Sequence, residues 1–303
     1  MTTTSVEEYF NHGEGGSTWY RRTRSLHSRA GALPVVVLHG GPGMAHNYLR
    51  RLEDLAKGGR EVILYDQIGC GRSSHHPDAP SVAWTVDVFV DELDALIRHW
   101  DLADGFHLLG QSWGGMFGPE YILAHPEAPI ASLTLLNSPA SMPAWAAGTR
   151  RLLEKLPAHV QETIARHEAD GTFQDPRYQE AVGLFYAQYL CRVDPMPLDV
   201  EESFAQLDAD PSVYSAMIGP SEFTITGTLA DWTIADRLEA ITLPTLVGYG
   251  EHDEATDSWL PFAENIAGAR VHRFDGASHT PHLERPEEFD SVVGNFLSEH
   301  DAN

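Results

Sequence analysis

The segment GQSWG at 110–114 has the residue types of a serine nucleophile on a tight turn between a strand and a helix. It follows the apolar run 105–110 and precedes the helix-like stretch 116–124, which is the context that such a turn requires. Small residues are needed two positions on either side of the serine, and Gly110 and Gly114 supply them. We therefore predict that Ser112 is the nucleophile of an acyl-transfer reaction.

Two backbone N–H groups are predicted to bind the oxyanion that forms when the serine attacks a carbonyl group. The residue after the nucleophile donates one of them, so Trp113 fills this role through its main chain. The second donor is expected from the loop HGGPG at 39–43, where glycines allow the backbone to approach the serine closely. Within this loop, Gly41 is the predicted donor.

The acid and the base should follow the serine along the chain in the order acid, then histidine. The predicted acid is Asp253, in the segment GEHDE at 250–254, directly after an apolar run. Asp257 and Glu251 are the alternatives. Its carboxylate would hold the tautomer of the base and stabilise the imidazolium.

The predicted general base is His279, in the small-residue loop DGASH at 275–279. His282 and His272 are the alternatives. A neutral imidazole takes the serine proton and later returns it to the leaving group. This chemistry needs neither a metal nor a cofactor, and the sequence predicts none.

The elements that position these residues alternate between short apolar runs and helix-like stretches, which indicates an α/β protein with a mostly parallel sheet and helices on both faces. The segment 138–236 interrupts this pattern and is rich in helix formers and prolines. We predict a core formed by 1–137 and 237–303 and an inserted helical cap at 138–236. The predicted strands lie at 33–40, 61–66, 105–110, 131–137, 243–250 and 270–274, and the predicted helices at 86–100, 116–124 and 287–299.

The composition restricts the partners of the protein. With 44 acidic and 20 basic residues, the formal net charge is −24, which repels nucleic acid and anionic membranes and favours cationic ligands. No apolar run approaches the roughly 18 residues of a membrane-spanning helix. Residues 1–16 show no secretory signal, and the two cysteines are too few for a disulfide framework. We therefore expect a cytoplasmic location.

Three stretches resemble the signature motifs of the prolyl aminopeptidase (proline iminopeptidase) family of α/β hydrolases: HGGPG at 39–43, DQIGCGRS at 66–73 and GQSWGG at 110–115. The resemblance spans nearly the whole chain and implies the α/β-hydrolase fold. Two departures are Ile68, where an arginine or an aromatic residue is frequent, and Gln111, where glycine or serine is more usual.

Two further segments, GPSEFTITGT at 219–228 and GEHDE at 250–254, resemble the tricorn-interacting aminopeptidase branch of that family. The resemblance implies that Glu222 and Glu254 bind the free α-amino group of the substrate and that Tyr214 reaches the active site. Carboxylates in a poorly solvated cleft would distinguish a charged N-terminus from an internal amide by charge-assisted hydrogen bonds.

The predicted function is a serine hydrolase that releases N-terminal amino acids, proline or other apolar residues, from peptides, amino-acid amides or esters through an acyl-enzyme. Its expected partner is a small-molecule or peptide substrate with a free α-amino group. Three alternatives remain: a carboxylesterase or lactonase that needs no free amine, an acyl-transferring enzyme that forms amides, and a non-catalytic binding module on the same fold.

Overall fold

The computed structural model describes residues 2–301 and contains one central sheet of eight strands. The strands are β1 (Thr3–Asn11), β2 (Ser17–Ser25), β3 (Val35–Leu38), β4 (Glu61–Tyr65), β5 (Phe106–Gln111), β6 (Ile130–Leu136), β7 (Thr245–Gly250) and β8 (Arg270–Phe274). Their order across the sheet is β1-β2-β4-β3-β5-β6-β7-β8. The pairs β1–β2 and β2–β4 are antiparallel, and all the other neighbouring strands run parallel.

Ten α helices accompany the sheet within residues 2–301. They are α1 (Val86–His99), α2 (Trp113–Ala124), α3 (Met142–Leu153), α4 (Ala158–Asp170), α5 (Pro176–Tyr189), α6 (Leu198–Ala209), α7 (Ser212–Met217), α8 (Leu260–Asn265), α9 (Pro281–Glu284) and α10 (Pro286–Glu299). None of the helices in the described part of the chain is long and apolar enough to cross a membrane.

Strands β3 to β7 are buried on both faces because their side chains alternate between two apolar clusters, whereas the edge strand β8 is mostly exposed. Val36 and Leu38 of β3 join the cluster that contains α1 and α2, whereas Val35 and Val37 join the cluster that contains α10. A strand that is covered on both sides reads as a continuous apolar run, which is why the sequence predicted these strands. The predicted fold class is confirmed.

The antiparallel hairpin of β1 and β2 was not predicted from the sequence. Most residues of β1 are exposed, so the strand carries no apolar run and no strict alternation. The hairpin extends the sheet at the edge farthest from β8, away from the carboxyl ends of β5, β7 and β8.

The segment between β6 and β7 contributes helices α3 to α7 and no strand to the sheet. Helices α3, α4 and α5 enclose a third apolar cluster of their own, centred on the fully buried Phe185. This arrangement agrees with an inserted helical layer, and the exact domain boundaries stay a prediction.

Candidate active site

Ser112 lies between β5 and α2 in a backbone conformation that L residues rarely adopt, with φ 54° and ψ −120°. The chain around it is too crowded for side chains. A Cβ at Gly110 would lie 2.3 Å from the carbonyl oxygen of Gly114, and a Cβ at Gly114 would lie 2.1 Å from that of Leu38. The glycines therefore allow the tight turn that projects Ser112 at the carboxyl end of β5.

Asp253 and His279 follow the carboxyl ends of β7 and β8, and both are buried. The Nδ1 of His279 lies 2.7 Å from Oδ1 of Asp253, so the carboxylate fixes the orientation of the ring. Ser112 and His279 line the same cavity. Within residues 2–301, no hydrogen bond joins Ser112 Oγ to the ring, whose Nε2 lies 3.6 Å from Oε1 of Glu254. Such hydrogen bonds commonly form only in the substrate complex.

The alternative acids and bases lie elsewhere. Asp257 and Glu251 are exposed at the surface. His272 faces outward and contacts a surface glutamate. His282 is buried, but its Nε2–H donates to the carbonyl oxygen of Tyr48 at 2.9 Å, and burial lowers its pKa to about 4. Of the residues considered, Asp253 and His279 are the ones that contact each other.

The predicted oxyanion donors, Gly41 and Trp113, also line this cavity. Neither backbone N–H has a hydrogen-bond acceptor within the described residues. The neighbouring Gly40 N–H is already occupied, because it donates to the hydroxyl of Tyr48 at 2.6 Å. Gly41 has φ 117°, a value that favours glycine.

The two predicted amine-binding carboxylates, Glu222 and Glu254, line the cavity together with Tyr214. Oε2 of Glu254 and Oε1 of Glu222 are buried and have no hydrogen-bond partner in residues 2–301. Burial raises the pKa of both carboxyl groups, and for Glu254 the charges of Glu222 and Asp253 act in the same direction. Burial also raises the pKa of the Tyr214 hydroxyl.

The cavity has a volume of about 990 Å³ and lies between the carboxyl ends of the strands and helices α3, α5, α6 and α7. Its walls are largely apolar; among them are Met116, Met142, Trp145, Val182, Phe204 and Leu207. In the described part of the chain, no three His, Cys, Asp or Glu side chains are grouped as metal ligands.

Residues 34–286 match the family model described as the alpha/beta hydrolase fold. The chain is 35% identical to the proline iminopeptidase of Saccharolobus solfataricus over 97% of this chain and 93% of that protein. It is 38% identical to that of Heyndrickxia coagulans, with 88% and 91% covered. The crystal structure of the proline iminopeptidase of Mycobacterium smegmatis superposes with a TM-score of 0.91 at 47% identity, covering 98% and 99% of the two chains.

The chain belongs to the proline iminopeptidase family of α/β hydrolases. The resemblance in the three motifs is thereby confirmed, and the protein is a hydrolase. The crystal structure of VinJ is also similar, with a TM-score of 0.93 and 41% identity over 97% of this chain and 99% of that one. The assignment to the tricorn-interacting branch stays a prediction.

The residues that support the site in this family member were not all predicted from the sequence. Asn137 follows β6 directly, and its Nδ2 donates to Oδ2 of Asp253 at 2.7 Å and to the carbonyl oxygen of Ser278 at 3.1 Å. It thus holds the acid and the loop of His279 together. The available signal was a polar residue directly after an apolar strand, at the same sheet edge as Ser112.

Glu168 on α4 was missed as well. Its carboxylate accepts hydrogen bonds from the hydroxyl groups of Tyr178, Ser221 and Thr224. The last two residues flank Glu222, so Glu168 anchors the turn that carries this carboxylate to α4. No sequence signal links α4 to a turn more than fifty positions away, because the contact arises only in the folded chain.

Proposed function

We propose that this protein is a serine aminopeptidase that releases an N-terminal proline or another apolar residue from peptides, amino-acid amides or esters. The observation that carries the proposal is the pair of carboxylates Glu222 and Glu254, each with a buried and unpartnered oxygen, in the cavity that Ser112 and His279 line. Buried polar atoms without partners are rare in proteins and commonly mark the place of a ligand or of ordered water.

An ammonium group is the ligand that fits these oxygens. It offers three N–H donors and a positive charge, and charge-assisted hydrogen bonds in a desolvated cleft are about twice as strong as neutral ones. The raised pKa of both carboxyl groups reflects the cost of ionising them without a cation. A bound ammonium removes that cost, whereas an acylated N-terminus has neither the charge nor enough donors to do so.

The positions of the remaining groups support the following reaction. Ser112 Oγ attacks the carbonyl carbon next to the bound ammonium while His279 Nε2 takes the hydroxyl proton. The N–H groups of Gly41 and Trp113 bind the oxyanion, and Asp253 stabilises the imidazolium. His279 then protonates the departing amine, and a water molecule hydrolyses the acyl-enzyme by the same route.

The residue preference within this proposal rests on the relatives, several of which are named proline iminopeptidases. A prolyl group carries a secondary ammonium, which still offers two donors, one for each carboxylate. The apolar walls of the cavity accept its ring without a polar partner. We retain a cytoplasmic location as part of the proposal, because the two cysteines, Cys70 and Cys191, are buried free thiols.

The test compares a prolyl arylamide with its N-acetylated twin in four proteins: wild type, Glu222→Gln, Glu254→Gln and Glu180→Gln. Glu180 is an exposed carboxylate of α5 that serves as the matched control. We expect the wild type and the control to prefer the free amine by at least about 100-fold in kcat/KM. Glu222→Gln and Glu254→Gln should each lose most of that preference.

Equal turnover of the two substrates by the wild type would exclude the binding of the substrate ammonium by Glu222 and Glu254. If both carboxylate variants kept the wild-type preference for the free amine, this role of the two glutamates would again be excluded. Good turnover of simple esters in that case would favour a carboxylesterase or lactonase. Failure of Ser112 to react with a fluorophosphonate probe on folded protein would favour a non-catalytic binding module.

A further inference from the structure

Gln111, the residue that precedes the nucleophile, connects two other parts of the active site through its side-chain amide. Its Nε2 donates to the carbonyl oxygen of His279 at 3.1 Å, and its Oε1 accepts from the hydroxyl of Tyr48 at 2.5 Å. That hydroxyl in turn accepts the N–H of Gly40 at 2.6 Å. These hydrogen bonds form one continuous series from the loop at 39–43, through the turn that carries Ser112, to the loop that carries His279.

The direction of every hydrogen bond in this chain is fixed by its ends. The His279 carbonyl can only accept, so the NH₂ of Gln111 must face it and Oε1 must face Tyr48. The Tyr48 hydroxyl has a single proton, which it gives to Oε1, and its lone pair is left for the N–H of Gly40. No other assignment of donors and acceptors satisfies all the groups, so these hydrogen bonds can point in one direction only.

The buried surroundings of these hydrogen bonds make the arrangement rigid. Tyr48, Gln111 and His279 are all nearly inaccessible to solvent, so an unpaired group there would not be rescued by bulk water. A Cβ on Gly40 would lie 2.7 Å from the Tyr48 hydroxyl and 3.1 Å from Cβ of Ser112, which leaves no space for the loop to move inward. The backbone N–H of Tyr48 is bound to Ser203 Oγ of α6 at 3.0 Å.

We propose that Tyr48 and Gln111 are positioning residues that hold the oxyanion donor Gly41 and the general base His279 at fixed distances from Ser112. Occupation of the Gly40 N–H by Tyr48 leaves the next N–H, that of Gly41, for the substrate oxyanion. The His279 main chain is held by Gln111, which is adjacent to the nucleophile, so the turn of Ser112 sets the distance between the serine and the imidazole. Displacement of such groups by about 1 Å can reduce a rate by roughly 100-fold.

This inference rests on the roles of Ser112 and His279 in the proposed function, but its test does not require that Glu222 and Glu254 bind the amine. The rate of covalent labelling of Ser112 by a fluorophosphonate depends on the serine, the base and the oxyanion donors alone. A protein that labels rapidly but releases no amino acid would contradict the proposed substrate. The labelling rates of its variants would still test the positioning roles of Tyr48 and Gln111.

The first variant is Tyr48→Phe, compared with Ser132→Ala. The control removes a buried hydrogen bond of 2.8 Å, between Ser132 and His107, near the amino end of the same sheet. We expect Tyr48→Phe to lower the labelling rate and kcat about 10- to 100-fold with KM within about threefold of wild type, and the control to lower only the melting temperature. Equal labelling by both variants at wild-type rate would overturn the proposal.

The second variant, Gln111→Glu, gives a readout that a merely structural residue would not produce. A protonated glutamic acid copies the amide, since its O–H can donate to His279 and its C=O can accept from Tyr48. The carboxylate lacks that donor and repels the carbonyl. We expect the labelling rate of the variant, divided by that of the wild type, to rise as the pH falls from about 8 to about 6. A ratio that is independent of pH would overturn the proposal even if Tyr48→Phe did not fold.

Discussion

The replacement Glu254→Gln is expected to make the protein more stable and less active, and the gain in stability should depend on pH. Glu254 is 2% exposed, and one of its oxygens has no hydrogen-bond partner in residues 2–301. Leaving a buried polar group unpaired costs about 1 to 3 kcal/mol, and more if it is charged. Glutamine keeps the shape and its polar atoms but cannot ionise. It therefore avoids only the cost that burial and the neighbouring carboxylates place on the charged form, and we expect a gain of about 1 to 3 kcal/mol at neutral pH.

The sign follows from the direction of the pKa shift. Burial, then the charges of Glu222 and Asp253, raise the pKa of Glu254 in the folded protein above that of an unfolded glutamic acid, about 4.3. Below that unfolded value both states are protonated, and the variant has no electrostatic advantage. As the pH rises, the unfolded wild type loses its proton first, so the wild type is progressively destabilised until the folded carboxyl group also ionises.

The assay is urea unfolding of wild type, Glu254→Gln and the exposed control Glu180→Gln at about pH 4 and about pH 8. We expect the difference between Glu254→Gln and wild type to be small at the lower pH and about 1 to 3 kcal/mol at the higher pH, equivalent to a rise in melting temperature of roughly 2 °C per kcal/mol. In parallel, kcat/KM for a free aminoacyl arylamide should fall about 10- to 100-fold. A variant that is less stable than wild type at the higher pH, or a difference equal at both pH values, would refute the reasoning.

Two other substitutions test how the site is held. Asn137→Ala removes the donor to Asp253 Oδ2, and steady-state kinetics should show kcat about 10-fold lower; unchanged kcat would mean that the acid is oriented without it. Gly114→Ala places a Cβ 2.1 Å from the carbonyl oxygen of Leu38 and should cost about 3 kcal/mol or more in denaturant unfolding. The helical Gly294 has open space around its Cβ position, so Gly294→Ala should instead stabilise the protein by about 1 kcal/mol; a loss at this control would contradict the steric argument.

Strands β3 to β7 were predictable because a strand that is buried on both faces appears in the sequence as a continuous apolar run. Each of the strands β3 to β8 coincides with a predicted run to within a few residues. The β1–β2 hairpin left no such mark, since β1 is exposed along most of its length and gains its stability from backbone pairing with β2. An apolar run indicates burial, so the exposed strand β1 was not predicted.

The residues of the candidate site were predictable to the extent that strand ends determine their positions. Ser112, Asp253 and His279 each follow a predicted strand, and parallel strands bring their carboxyl ends to one edge. Tyr48 and Glu168 lie on helical segments at a distance from any strand end. Tyr48 bonds Gln111 and Glu168 bonds Ser221, which are 63 and 53 positions away along the chain. Contacts of that kind depend on how the layers pack, which neither periodicity nor motif spacing encodes.

Cavity size and charge make different demands on a substrate. A prolyl group fills only part of a cavity of about 990 Å³, and an apolar pocket separates side chains that differ by one methylene by only about 1 to 3 kcal/mol even when the fit is close. A missing ammonium, in contrast, leaves the buried oxygens of Glu222 and Glu254 without a donor. The enzyme is therefore expected to discriminate free from blocked N-termini more strongly than it discriminates among apolar side chains. The carboxylates, rather than the apolar walls, would then set the identity of the substrate class.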